Sequence, residues 1–175
     1  MADFLSIEVT GAAELQAGLL QAVQRLQQPR DLMQALGGVL VANIQRRFDT
    51  KTDPSGQRWA PWADATRAGY DRADTQRTGK NAGQVVRRGT LLERTGQMRA
   101  SLVANATDNQ VEVGMSRPTN GGAWSIPLLH ETGTARMPRR GIFLADPDAG
   151  TLGAGDEADL QAELVGFLDD IFGAA

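Results

Sequence analysis

Between a long amphipathic run that ends near Phe48 and two closely spaced tryptophans, Trp59 and Trp62, lies the segment Asp53-Pro54-Ser55-Gly56. Proline fixes φ, an aspartate side chain bonds the backbone two residues on, and glycine accepts a positive φ, so these four residues dictate a chain reversal. Pro61 stands between the indoles and forbids a regular central strand there. The tryptophans are therefore expected to pin a loop onto the body of the fold rather than line a sheet. Pro54, Gly56, Trp59 and Trp62 read as structural anchors, not as parts of an active site.

Periodicity supplies the elements around this turn. Ser6 to Thr10 alternates before Gly11, which predicts a short opening strand. Leu15, Leu19, Ala22 or Val23, and Leu26 mark one face of a helix over 12–28. Pro29 then opens a second helix with Leu32, Leu36, Val39 or Leu40, Ile44 and Phe48 along its stripe. Gly37-Gly38 inside it costs about 1 kcal/mol per glycine, which a kink or close packing against the first helix would explain. Ala63 to Gly89 is polar, with a short helix expected near 64–73 and a mobile loop at Thr78 to Gly83. A loop of this length in a compact domain is functional or disordered. Thr95 is expected to cap a short helix through Leu102. Asp108-Asn109 turns a hairpin between 101–107 and 110–115. Ile126 to Glu131 fits a short helix or strand, and Pro138 leads rigidly into a buried apolar strand at Ile142-Phe143-Leu144. A last helix over about 156–172 carries Leu160, Leu164, Phe167 or Leu168, and Ile171, and docks by default on its own domain. The fold class is α+β: an N-terminal helical pair, a small, mostly antiparallel sheet and a C-terminal helix, in one domain over 1–175.

With 175 residues the chain can bury one real core, but only 5% of it is aromatic, so that core rests on Leu, Val, Ile and Ala and burial in a partner is expected to help. The absence of cysteine excludes disulfides, thiol nucleophiles and thiolate metal sites. Met1 to Ser6 lacks a basic segment followed by an apolar run, so no signal peptide is expected, and no apolar stretch reaches the roughly 20 residues that span a bilayer. The chain is expected in cytosol or in a particle assembled there, with no membrane partner.

Charge is segregated along the chain. Arg46 to Arg99 holds 12 Lys/Arg against 6 Asp/Glu, whereas Ala145 to Ala175 holds 8 acidic residues and no basic one. That distribution suits head-to-tail contact between identical copies, with Asp169 and Asp170 meeting a neighbour's Arg87 and Arg88. Solvated surfaces, or pairing within one chain, are the alternative. Arg87, Arg88, Arg94, Arg99, Arg136, Arg139 and Arg140 form a basic constellation. It fits non-specific contact with DNA phosphates in a channel, the acidic surface of an adjoining ring, or a solvated face.

His130-Glu131 is the one pair that invites a catalytic reading. It lacks the second histidine of H-E-x-x-H, and His130 is the only histidine present. It reads as a structural histidine beside a glycine turn. Neither Thr78-Gly79-Lys80 nor Gly121-Gly122 has the spacing of a phosphate loop, and no Gly-x-Ser-x-Gly elbow occurs. No catalytic residue, metal or cofactor is expected.

The order of motifs carries a resemblance. Phe48-x(4)-Asp53-Pro54-x-Gly56-x-x-Trp59-x-Pro61 is followed by Leu92-x-x-Thr95-Gly96-x-Met98-x-x-Ser101-Leu102 and Val111-x-Val113-Gly114. His130-Glu131-x-Gly133 and Pro138-Arg139-Arg140-x-x-Phe143-Leu144 complete the set. From Phe48 to Leu144 the chain resembles the phage virion morphogenesis family, tail-completion and neck proteins of long-tailed bacteriophages. It departs from that pattern at Trp124 to Leu129, where relatives tend to carry a Tyr-Ala pair before the histidine, and in the length of Ala63 to Gly89. The resemblance implies a structural protein of the virion neck or tail. A ring of copies would there adjoin other neck, connector or tail-tube proteins and touch passing DNA. In the alternative, a module binding DNA backbone through 46–99, the basic stretch would be the working surface.

Overall fold

A computed structural model describes residues 12–27, 29–75, 80, 82–85, 89–119 and 121–173. The expected strand at Ser6 to Thr10 and the basic pair Arg87 and Arg88 lie outside them. The elements are helices α1 (Ala12–Leu26), α2 (Arg30–Thr50), α3 (Asp64–Asp74) and α4 (Gln97–Ala100), strands β1 (Val103–Ala106) and β2 (Val111–Gly114), and helices α5 (Ile126–Thr132) and α6 (Ala154–Phe172). The class is α+β, with helices at the N-terminal side, a two-stranded antiparallel sheet and a C-terminal helix.

Helix α2 is the spine. It packs against α6 and against both strands of the hairpin, while α1 leans on α6. The hairpin pairs Val103 with Gly114 and Ala106 with Val111. Asp108 and Asn109 make the turn, closed by the Thr107 N–H bonding the Gln110 carbonyl at 2.9 Å. Gly37 is explained here rather than by α1: a Cβ on it would lie 2.8 Å from a Val111 methyl and 3.1 Å from the Ala104 Cβ. The missing side chain lets the hairpin approach the spine. Gly38 faces open space, and nothing in the structure explains it.

The expected reversal follows α2. Lys51 leaves the helix in the left-handed conformation at φ 58°, and the Asp53 carboxylate accepts the Ser55 and Gln57 N–H groups, both at 2.9 Å. Gly56 closes the turn at φ 79°, which glycine reaches without strain. Pro54 presses its carbonyl against Gly153 so closely that a Cβ there would sit 2.2 Å from the oxygen, which ties the turn to the start of α6.

The chain then returns to bury Trp59. Its ring meets Phe48 edge to face at 5.5 Å, and its Nε1–H donates to the Gly141 carbonyl at 2.9 Å. Ile44, Phe48, Trp59, Met98 and Ile142 form the buried core, flanked by Leu91, Leu92, Leu102, Val113, Met115, Ile126 and Phe143. Trp62 is half-buried outside this core, edge to face with Tyr70 of α3 at 5.1 Å. The two indoles therefore carry different weights. Trp59→Ala should cost about 3 kcal/mol, the low end for a large buried aromatic, and Trp62→Ala clearly less. Thermal melts of the two variants would test this, and equal melts would contradict the placement.

Two local expectations are corrected. Gly96, at φ 72°, and not Thr95, stands at the N-cap of α4, because the chain enters that short helix through a left-handed turn. Ile142 to Leu144 forms no strand; a side chain rather than a neighbouring strand takes up its N–H groups, as described below. On α1 the apolar stripe is largely uncovered: Ala22 is buried, but Leu19, Leu20, Val23 and Leu26 are exposed.

Candidate functional site

Two polar knots fix the loops around the core. In the first, the carboxylate of Glu131, on α5, accepts the backbone N–H groups of Ile142 (2.6 Å), Phe143 (2.9 Å) and Leu144 (3.0 Å). Arg139 braces the same turn, with Nε donating to the Glu131 carbonyl at 2.8 Å and a terminal nitrogen to the Leu144 carbonyl. One buried carboxylate thus replaces the ladder that a strand partner would have supplied. Pro127 and Glu131, one helical turn apart, are the buried positions of α5.

The second knot joins α2 to α6. Asp156, 2% exposed, receives Arg47, and Asn43 donates to it at 3.0 Å. Arg47 also donates to the Ile142 carbonyl at 2.8 Å. Asn43 reaches Asp159 at 2.9 Å, and Arg46 pairs with Asp159 at 3.4 Å. Part of the basic middle and part of the acidic end therefore neutralise each other within one chain.

Other cations of 46–99 are also engaged. Lys51 and Arg99 both pair with Glu93, and Arg99 reaches Asp49 at 2.7 Å. Burial acts to raise the Glu93 pKa, but the hydrogen bonds from Lys51 and Arg99 outweigh it and hold the carboxyl below its ordinary value. Arg94 grips both oxygens of Asp74 and lies over the Tyr70 ring at 4.5 Å. A free cationic face, which the DNA-backbone reading requires, is thereby reduced to the remaining cations of the stretch.

Beside these knots lies a cavity of about 480 Å³. Trp62, Tyr70, Leu91, Leu92, Met98 and Met137 give it apolar walls, and Arg94, Arg117, Arg136 and Arg140 line it too; of these four only Arg94 has a carboxylate partner, Asp74, among the described residues. Arg140 is 4% exposed and donates to the Ala60 and Pro61 carbonyls at 2.7 and 2.9 Å. Among the described residues it has no acidic partner, and burial lowers its pKa from the usual arginine value. Arg117 was not singled out by sequence reasoning, because nothing local marks it as facing the same space as residues 136–140.

His130 lines this cavity too. Its Nδ1 is buried without a hydrogen-bond partner among the described residues, and burial, with a smaller push from the Arg140 charge, lowers its pKa to about 4. Among the described residues no three His, Cys, Asp or Glu side chains cluster to hold a metal. The unfolded chain takes up the His130 proton near pH 6.5, before the native state does, so native stability is full above that pH and falls as pH drops toward 4. His130→Gln should remove this component while keeping function in phage complementation. Thermal midpoints followed over that window would show it as a shallower acid loss in the variant; parallel curves would contradict it.

Of the remaining candidate residues, Asp169 and Asp170 lie exposed near the end of α6, where Arg25 donates to the Asp170 carbonyl at 3.2 Å. The structure brings Trp62, His130, Arg94 and Arg140 together around the cavity and leaves Asp169 and Asp170 apart from it. Among the described residues no helix is long and apolar enough to cross a membrane.

No curated protein and no solved structure matches the chain. A family model, described as the phage virion morphogenesis family, matches residues 11–140. That span includes α1 to α5, the anchored turn, Glu131 and Arg140. With more than half of its length matched, the chain belongs to the phage virion morphogenesis family and has a structural or assembly role in a bacteriophage particle.

Proposed function

We propose that the protein is a non-enzymatic subunit of tail completion or head-tail joining at the neck, working as a ring of identical copies. The family match carries this reading. The geometry supports it in kind: the buried Glu131, Asp156 and Arg47 are each committed to holding backbone or one another. The uncovered apolar residues of α1, together with Val165 and Phe172 of α6, offer surface that a neighbouring subunit would bury. In this reading the whole chain acts as one domain, and the polar segment 63–89, whose helix α3 is held to the body by Trp62 and Arg94, presents its outer side to a neighbour or to the lumen, where passing DNA touches it. Adjoining neck, connector or tail-tube proteins complete the contacts. A null mutant of the gene, examined by electron microscopy of lysates, is expected to give heads and tails that fail to join or tails that are unfinished. Normal particles from the null would overturn the proposal.

A further inference from the structure

Three of the arginines that line the cavity, Arg117, Arg136 and Arg140, have no carboxylate partner among the described residues. A buried guanidinium without a carboxylate is costly, since its desolvation is repaid only by a nearby countercharge. Arg140 is in that state, satisfied by two carbonyls alone, and Arg117 and Arg136 line the same space with no ion-pair partner among the described residues. The walls are aromatic and aliphatic, so the complementary ligand is both anionic and apolar.

The exposed end of α6 has that chemistry. Asp169 and Asp170 precede Phe172, which is 54% exposed; the segment 145–175 has no basic residue, and Arg25 of α1 bonds the Asp170 carbonyl rather than a carboxylate. The chain cannot fill its own cavity with this segment. Helix α6 starts at the C-terminal end of α2, where Asp156 meets Arg47, and Met98 of the cavity packs in the same core as Phe48. Its far end lies at the other end of the spine, where Phe167 shares a cleft with Asp31 and lies under Arg25. A 21-residue helix separates these ends by about 31 Å, at roughly 1.5 Å per residue.

The geometry points to a head-to-tail contact between copies, in which the acidic, apolar end of α6 (Asp169, Asp170 and Phe172) docks into the Arg117–Arg136–Arg140 cavity of a second copy. The inference rests on the ring proposed above and names its joint. Phe172 enters between the aromatic and aliphatic walls, and the carboxylates face the arginines in a partly desolvated site, where opposite charges attract more strongly than in water. A contact between two different surfaces of identical subunits is heterologous, so repetition closes a ring when the rotation permits.

The absence of native cysteine makes the joint directly testable. A phage encoding Thr66→Cys together with Gly166→Cys places one thiol on the cavity wall and one on the exposed side of α6, a turn before Asp170, where a side chain meets open space and the docking residues stay intact. Purified particles treated with a bismaleimide should yield a ladder of this protein, with the linked peptides joining residues 66 and 166, and neither single variant should extend past a dimer. If the protein is present in particles but no 66–166 link forms, the joint is wrong and the virion role stands. If the protein is absent from particles, the morphogenetic reading falls and takes the joint with it. In solution, Asp169→Lys/Asp170→Lys and Arg117→Glu/Arg136→Glu should each weaken self-association at least tenfold at low salt, with unchanged melting of the monomer. Mixed one to one, they should recover association, because the native end of one meets the native cavity of the other and the two reversed halves are again opposite in charge. Association equal to that of the parent in either variant would overturn the inference.

Discussion

Glu131→Ala is expected to cost about 4 kcal/mol, because it strips the acceptor from three backbone N–H groups at once and each unsatisfied buried donor costs about 1–3 kcal/mol. The Ile142, Phe143 and Leu144 N–H groups all end on this carboxylate. Ile142 is part of the core and Gly141 receives the Trp59 indole, so a loosened turn also frees the main aromatic anchor. A loss of that size is a large share of the roughly 5–15 kcal/mol that holds a typical domain together. Glu131→Gln keeps one acceptor oxygen but turns an amide donor toward the N–H groups, so it should fall between parent and Ala. Denaturant unfolding of the three proteins gives the order; a Glu131→Ala midpoint equal to that of the parent would remove the carboxylate from its structural role.

Asp156→Ala should be nearly as damaging, at about 3–5 kcal/mol, since breaking a buried pair from one side strands the other charge. Arg47 would keep the Ile142 carbonyl but lose its only carboxylate among the described residues. Replacing both partners with apolar residues, as in Arg47→Met with Asp156→Leu, should recover most of the loss, because no buried charge is then left unpaired. A double-mutant cycle followed by thermal unfolding measures this. Additive effects would mean that the two side chains do not depend on each other in solution.

These two knots also mark where sequence reading stops. The anchored turn was legible because Asp53, Pro54 and Gly56 each impose a local conformation, and the long helices because their apolar stripes repeat with the helical period. Helix α6 begins at Ala154, close to the expected 156, and the hairpin turns at Asp108 and Asn109 as the turn chemistry dictates. The segment after Pro138 misled because an apolar run such as Ile142-Phe143-Leu144 is read as a strand by composition. Its hydrogen bonds go instead to a side chain about a dozen residues upstream, a partner that no local pattern announces. The Pro127 and Glu131 spacing did hold a signal, since it sets a carboxylate on the inward face of an apolar helix. The pairing of Asp156 with Arg47 links positions 109 apart in sequence, so charge counts along the chain described segregation but not its partial cancellation. The cavity was invisible for the same reason: its arginines come from separate loops and meet only in the fold.

The central claim, that this chain is a ring-forming structural component of the phage neck or tail end, is tested most directly by an electron cryo-microscopy reconstruction of the intact particle. The account predicts density for this fold repeated around the tail axis at the neck or at the tail's completed end, with the end of one copy's α6 seated at the Arg117, Arg136 and Arg140 cavity of the next. A particle whose neck and tail ends are fully accounted for by other chains, with this protein absent or elsewhere, would contradict it.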